Sequence, residues 1–326
     1  MGSTGVRVSG LAFGTMSFGG DADEATSAAM YGRCRDAGVN VFDCADVYNG
    51  GRSEEILGRL IQPHRDQVVV TSKAYFPTGD QGVNDRGTSR YHLVRAVEAS
   101  LKRLGTDRID VYFLHRFDDV TPLEETLRGV ELLVQQGKIL YPAVSNFAAW
   151  QTAKALGIAE RHGWAKVAAI QPMYNLVKRQ AEVELLPMAE AEGLAVFPYS
   201  PLGGGLLTGK YGPDQRPDTG RLLSNKMYEV RYAHRSIFEI AGAFTALAAE
   251  LGHHPVSLAI AWVASHPGVT APLLGARNLE QLEPALAAAE IALDAETRAR
   301  ISALSLEPPP ATDRNEERSE HNYGTR

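Results

Sequence analysis

The sequence predicts a (β/α)8 TIM barrel, with parallel strands inside and helices outside. Two observations lead to it. Short apolar runs alternate with amphipathic segments eight times along the 326 residues, which implies a parallel sheet of barrel size. Polar residues capable of chemistry close several of those runs, and a barrel gathers strand ends on one face. Asp43 ends Val41-Phe42, Lys73 ends Val68-Val69-Val70-Thr71-Ser72, and His115 ends Ile109 to Leu114. A titratable group at the end of a buried strand is costly unless it is paired or used. A doubly wound open sheet would scatter these groups.

Strands are expected over residues 10–15, 39–43, 67–73, 109–115, 139–146, 167–171, 194–199 and 271–275. The first helix, 23–37, opens on an acidic turn and stops at Gly38. The next, 52–60, carries Ser53, Glu54 and Glu55. Helix 89–104 runs from a Ser89 cap to Gly105. Helix 122–136 has Thr121 as cap, Pro122 at its first position and Gly137 beyond its end. Helices 148–162 and 182–192 follow, then a longer region, 236–265, broken near Gly252 and Pro255. Helices 279–288 and 295–304 close the series. His253-His254 before Pro255 reads as a loop or cap.

Two stretches depart from the repeat. Residues 209–234, rich in Gly, Pro and charge, read as a long lid or mobile loop after the seventh strand. Residues 307–326, with Pro308-Pro309-Pro310, read as an irregular tail. The barrel domain is therefore expected over 1–306.

Hydrophobic residues make up 44% of the chain, enough for a large core. The net charge of −6 and a pI near 5.9 argue against nucleic acid as a partner. No apolar run approaches the roughly 18 residues of a membrane span, and no basic-then-apolar leader opens the chain. Cys34 and Cys44 form neither a disulfide framework nor a metal knuckle. The expectation is a soluble, cytoplasmic protein acting on a small molecule, with its oligomeric state open.

Tyr48 stands five residues after Asp43. A phenol with a pKa of roughly 10 is a poor acid alone, and a nearby ammonium lowers that value. Lys73, held charged by Asp43, could supply the ammonium, and His115 could donate a hydrogen bond to a carbonyl oxygen. Such a set suits reduction of C=O, where a proton reaches oxygen as hydride reaches carbon. Taken singly, Tyr48 is more simply a surface hydrogen-bonding residue and Lys73 an ion-pair partner. The combination carries the functional reading.

Over almost its whole length the chain resembles the aldo-keto reductase superfamily, in the branch of potassium-channel β-subunits and aryl-alcohol dehydrogenases. Phe42-Asp43-Cys44-Ala45-Asp46-Val47-Tyr48 is similar to the family's Asp-x-Ala-x-x-Tyr segment, with Cys44 where Thr or Ser is usual. Thr71-Ser72-Lys73 and Leu114-His115-Arg116 match two further positions. The resemblance implies Tyr48 as general acid, Lys73 and Asp43 as its tuning pair, and His115 as the group that orients the carbonyl. It also implies NADP(H) as cofactor, with NAD(H) second. Val144-Ser145-Asn146-Phe147, with Ala143 for the usual Gly, and Gln171 would hold the carboxamide. Tyr199 would stack on the nicotinamide; core packing is the alternative, and its place at a strand end before Ser200-Pro201-Leu202-Gly203 favours stacking. Thr15, Met16, Ser200, Pro201, Leu202, Gly203 and Gly275 complete the implied cofactor contacts. Arg277, at a helix start, is placed for a 2′-phosphate, with Gln281 along the ribose. A solvated helix-start charge is the alternative for Arg277. Where the family often continues with Glu-Asn, this chain has Pro284-Ala285, which implies weaker adenine recognition.

Other readings are less complete. Gly204 to Lys210 fits G-x-x-x-x-G-K, but Tyr211 replaces the Ser or Thr a P-loop needs. A glycine-rich turn still suits a pyrophosphate. No G-x-G-x-x-G follows the first strand, so a Rossmann domain has no support. Asp43, Asp46 and His115 could be written as metal ligands, but the other strand ends suit a nicotinamide better. A Schiff base at Lys73 would leave the glycine-rich and Arg277 segments unexplained. Asn84-Asp85-Arg86-Gly87-Thr88-Ser89-Arg90 resembles a segment of the channel-subunit branch, which keeps a cofactor-sensing subunit open as the alternative function. Met16, Phe18, Phe76, Phe117 and the 209–234 segment are expected around the substrate. The resemblance also implies a longer N-terminal segment, forming a hairpin that closes the barrel bottom. Met1 stands where that segment would end, at Gly2-Ser3-Thr4-Gly5, through loss of the hairpin or through a start assigned too late; catalysis at the opposite face is expected to survive, and stability to be lower if the hairpin is lost.

Overall fold

A computed structural model, describing residues 1–79, 82–234 and 236–320, places eight parallel strands in one sheet. They are β1 (Ala12–Gly14), β2 (Val41–Asp43), β3 (Val69–Ala74), β4 (Ile109–Leu114), β5 (Ile139–Ser145), β6 (Ala169–Gln171), β7 (Ala195–Val196) and β8 (Leu273–Leu274). Each strand pairs with its sequence neighbour, and β1 also pairs with β8. The remaining edge closes through Ala271 N to Val196 O at 3.2 Å and Leu273 N to Pro198 O at 2.9 Å. The predicted barrel is therefore present, and its last two strands are shorter than expected. Pro198 follows β7 and Pro272 precedes β8, and proline has no N–H to extend a ladder.

The outer layer holds α1 (Glu24–Asp36), α2 (Arg52–Ile61), α3 (Arg90–Leu104), α4 (Leu123–Gln135), α5 (Ala149–His162) and α6 (Leu185–Ala191). After β7 come α7 (Arg221–Ser224), α8 (Lys226–Arg231), α9 (Ser236–Glu250) and α10 (Pro255–Ala264), then α11 (Leu279–Leu286) and α12 (Ala295–Ser302). Ser89 caps α3 as the sequence suggests, and Asp23, expected inside the first helix, is the cap of α1. His254 caps α10 through Nδ1, which accepts from Val256 N at 3.2 Å. Thr121 is not the cap of α4. Its hydroxyl instead donates to Asp118 Oδ2 at 2.7 Å, and Pro122 occupies the cap position.

The 209–234 segment is not an open loop. Tyr211, Leu222, Tyr228 and Tyr232 are buried with Leu206, Ile237 and Ala241 in a cluster of their own. Four buried aromatic or aliphatic anchors outweigh the Gly and Pro content that made the stretch look irregular. Downstream of α12, the described tail contains the short turn Asn315–Arg318; residues 321–326 of the expected 307–326 tail lie outside the described residues.

Strand alternation sorts the side chains into two layers. Phe42, Val70, Tyr112 and Val144 point outward into the core beneath the helices. Val41, Val111, Phe113, Ala143, Ala169, Ala195, Phe197 and Leu273 fill the barrel interior. Continuing the inward parity by two residues brings Asp43, His115, Ser145, Gln171 and Tyr199 to the C-terminal mouth. At the other end, Met1 and Val8 pack against the interior cluster, and Ser3 N donates to Gly193 O at 2.9 Å. Residues 1–8 thus pack across the barrel floor.

Gly58 marks a close approach of α2 to α3. A Cβ there would lie 2.5 Å from the Leu104 carbonyl oxygen, which is backbone and cannot step aside. Gly58→Ala should therefore force α2 from α3 and cost about 1–3 kcal/mol. A urea midpoint equal to that of the parent would show that the two helices separate freely.

Candidate active site

Asp43 and Lys73 make a buried ion pair at the ends of β2 and β3, with Lys73 Nζ 2.6 Å from Asp43 Oδ2. Their remaining capacity is met from β3, from β6 across the barrel, and from the segment after β2. Thr71 donates to Asp43 Oδ1 at 2.6 Å and Gln171 Nε2 to the same oxygen at 2.9 Å. Lys73 Nζ also donates to Cys44 O at 2.7 Å and Tyr48 Oη at 3.4 Å. Burial alone would lower the Lys73 ammonium, but Asp43 and the groups around it more than reverse this, so its pKa is raised.

Tyr48 sits in the turn Tyr48–Gly51, with its ring 5.1 Å from the Lys73 ammonium. Asn49, Gly50 and Gly51 all take left-handed backbone angles there. Asn49 Nδ2 donates to Met16 O at 2.9 Å and Phe18 O at 2.8 Å, tying this turn to the loop after β1. The sequence expectation of a lowered phenol needs correction. Burial pushes Tyr48 up to about 12, and the Lys73 charge opposes this only in part. Tyr48 is therefore a protonated phenol at neutral pH.

His115 lies edge-on to Tyr48 at 6.1 Å and to Phe76 at 5.1 Å. Burial, and then the Lys73 charge, push its pKa down to about 3, so the imidazole is neutral. Its Nδ1 has no hydrogen-bond partner among the described residues.

The residues assigned to a nicotinamide form one connected group. Tyr199 donates from its hydroxyl to Asn146 Oδ1 at 2.8 Å. Asn146 Nδ2 donates to His115 O at 2.9 Å and Ser145 Oγ at 3.1 Å, and Ser145 Oγ donates to Gln171 O at 2.9 Å. Gln171 therefore spends its amide on Asp43 in this conformation rather than standing free. Ser200 has a left-handed φ of 57°. Pro201 and Leu202 lead into Gly203, Gly204 and Gly205, where φ is positive in all three. A Cβ on Gly204 would lie 2.7 Å from the Tyr228 ring, so α8 packs directly on this turn. At Gly275 a Cβ would meet nothing within 4 Å, which leaves open space before Arg277. Gln281 Oε1 accepts from Arg277 N at 3.2 Å. An amide, hydroxyl and aromatic group at one end, and a guanidinium near open backbone at the other, fit a nicotinamide dinucleotide.

Some expected residues lie elsewhere. Thr15 is fully buried, and its hydroxyl is held by Asp43 O at 3.0 Å and Ser53 Oγ at 2.9 Å, so that side chain braces β1 against β2. Phe18 is buried in the core against Phe13 rather than in the pocket wall. Met16, Phe76 and Phe117 do reach the mouth region, and Phe117 packs with Trp150, which sequence reasoning did not single out. Thr71 was also missed, although its place two residues before Lys73 puts it on the same strand face. Glu54 gave no signal. It looks like a solvated helix-start acid, yet it is fully buried, accepting from Ser72 Oγ at 2.5 Å and Arg103 Nε at 2.6 Å. Asp46 is 1% exposed and its carboxylate oxygens have no partner among the described residues. Burial, with Glu54 adding, holds that carboxyl well above its usual range.

The neutral state of His115 has a pH signature. The unfolded chain protonates this imidazole near 6.5, whereas the folded chain resists down to about 3. The unfolded state thus binds the extra proton between those values, and stability falls as pH drops from 6.5 toward 3. His115→Asn should flatten that acid limb in a series of denaturation midpoints. An unaltered limb would mean that the imidazole is solvated.

The aldo/keto reductase family model matches residues 10–306. An uncharacterized oxidoreductase of Bacillus subtilis, YrpG, is 40% identical over 91% of this chain and 92% of its own length. A probable voltage-gated potassium channel subunit beta of Oryza sativa is 36% identical, covering 96% of this chain and 98% of its own. The human aldo-keto reductase family 7 member A3 is 38% identical over 85% of this chain and 87% of its own. With eight parallel strands closed into a barrel and the family model spanning nearly all of it, the chain belongs to the aldo/keto reductase family and is an NAD(P)H-dependent oxidoreductase.

Proposed function

We propose that this protein reduces an aldehyde or ketone to the alcohol, reversibly, with NADPH, and that Tyr48 is the general acid. The observation that carries the reading is the chain of contacts from Asp43 through Lys73 to the Tyr48 hydroxyl, beside a neutral His115. The dinucleotide, when bound, supplies the hydride. Tyr48, kept protonated by its buried setting, gives its proton to the carbonyl oxygen, which becomes strongly basic as hydride arrives; a weak acid therefore suffices. The Lys73 ammonium stabilises the phenolate left behind, and Asp43 keeps that ammonium charged and aimed. A neutral imidazole N–H of His115 donates to the same oxygen and orients the carbonyl without adding a charge. Ser145, Asn146 and the side-chain oxygen of Gln171 would hold the carboxamide of a bound dinucleotide, and the Tyr199 ring would stack on the nicotinamide. Arg277 favours NADP(H) over NAD(H), because its guanidinium suits a phosphate monoester. Two buried free thiols, Cys34 and Cys44, support a reducing cytosol as the compartment.

The rice relative, named as a probable channel subunit beta, is compatible with a second reading, a cofactor-sensing subunit with little turnover. Steady NADPH oxidation with simple aldehydes would exclude it. Tight NADPH binding without turnover would support it.

Tyr48→Phe should keep NADPH binding, followed by fluorescence, and lose carbonyl reduction by about 10²–10⁴. Near-parental turnover in that variant would remove Tyr48 as the acid. Arg277→Ala should weaken NADPH far more than NADH; an equal loss for both would mean that this side chain does not read the 2′-phosphate.

A further inference from the structure

Arg277 already has an anionic partner. Its Nε lies 3.0 Å from Asp21 Oδ2, and the two side chains retain 41% and 53% of their exposure. Asp21 belongs to the loop between β1 and α1, which is braced from both sides. Ser17 Oγ donates to Ala276 O at 2.7 Å, one residue before Arg277. On the other side Asn49 donates to the backbone at Met16 and Phe18, and a Cβ on Gly20 would lie 2.5 Å from Asn49 Oδ1. Asp21 is thus carried to Arg277 by a loop fixed against two neighbours, and the pair joins the β1 and β8 sectors of the mouth.

We propose that Asp21 competes with the 2′-phosphate of NADP(H) for the Arg277 guanidinium, and so sets how strongly the protein prefers NADP(H) to NAD(H). The proposal rests on Arg277 being the 2′-phosphate residue. A phosphate monoester carries about −1.5 to −2 charge at neutral pH. To take it, Arg277 must leave Asp21 or hold two anions that repel each other. NAD(H) presents a neutral hydroxyl at that position, neither repelled by Asp21 nor in need of Arg277. The penalty therefore falls on NADP(H) alone. Both side chains are well solvated, so the pair opens readily and the effect is moderate. It is also screened by salt.

The test is a double-mutant cycle read by binding. NADPH and NADH affinities are measured by fluorescence for the parent, Asp21→Asn, Arg277→Ala and the double variant. The adenine-end fragments 2′,5′-ADP and 5′-ADP are measured beside them by calorimetry. Asp21→Asn should tighten NADPH and 2′,5′-ADP by about 2- to 10-fold at low salt, leaving NADH and 5′-ADP unchanged. That gain should vanish in the Arg277→Ala background. Unchanged or weaker NADPH binding in Asp21→Asn, with Arg277→Ala still weakening NADPH far more than NADH, overturns the competition and leaves the Arg277 reading intact. A gain that survives without Arg277 overturns it as well, since the loop charge would then act in general. Equal loss of both nucleotides in Arg277→Ala overturns the Arg277 reading and, with it, the role of Asp21.

Discussion

The site depends on keeping one ammonium charged inside a barrel. Lys73 is fully buried, and an ammonium taken out of water is costly unless it is paired and hydrogen-bonded. Asp43 alone would not settle the cost, because its second oxygen would be left unsatisfied. Thr71 and Gln171 both reach that oxygen, and the Cys44 carbonyl takes a further Lys73 proton. The donors come from β3 and β6, so one ion pair engages opposite sides of the barrel. The C-terminal mouth is the place where inward side chains from several strands converge closely enough to do this.

Burial, more than this charge, sets the state of the groups around it. Desolvation leaves both the phenol and the imidazole beside the pair uncharged at neutral pH. His115 is pushed far down by burial and the nearby ammonium, and Tyr48 is pushed up by burial. The result is a protonated phenol and an uncharged imidazole facing one cleft, both able to donate hydrogen bonds. A second polar layer lies behind, where Glu54 joins Ser72 on β3 to Arg103 on α3. It ties the strand that carries Lys73 to the outer helices, so the position of the ammonium is set from both faces of β3.

Loops on the mouth are coupled by the same economy of polar groups. Asn49, beside Tyr48, holds the β1–α1 loop, and that loop reaches Ala276 and Arg277 beyond β8. The turn bearing the candidate acid and the candidate phosphate reader are therefore linked through one short segment. Across the mouth, Tyr228 rests on the Gly204 turn, so α8 and the glycine run behave as one packed unit.

The sequence by itself determined the barrel, because eight alternations of buried strand and amphipathic helix admit few other closed arrangements. It also marked Asp43, Lys73 and His115, since charged or titratable residues at the ends of apolar runs stand out against their surroundings. It could not show what satisfies them. Thr71 and Gln171 meet on one carboxylate oxygen although they are far apart in the chain, and nothing local announces that meeting. Local composition misled at residues 209–234, where Gly and Pro hid a buried aromatic cluster, and the resemblance could not show that the Thr15 hydroxyl turns into the fold. The direction of the Tyr48 shift was also out of reach. It is a contest between a nearby charge, which the sequence suggests, and desolvation, which exists only once the barrel has closed around the phenol.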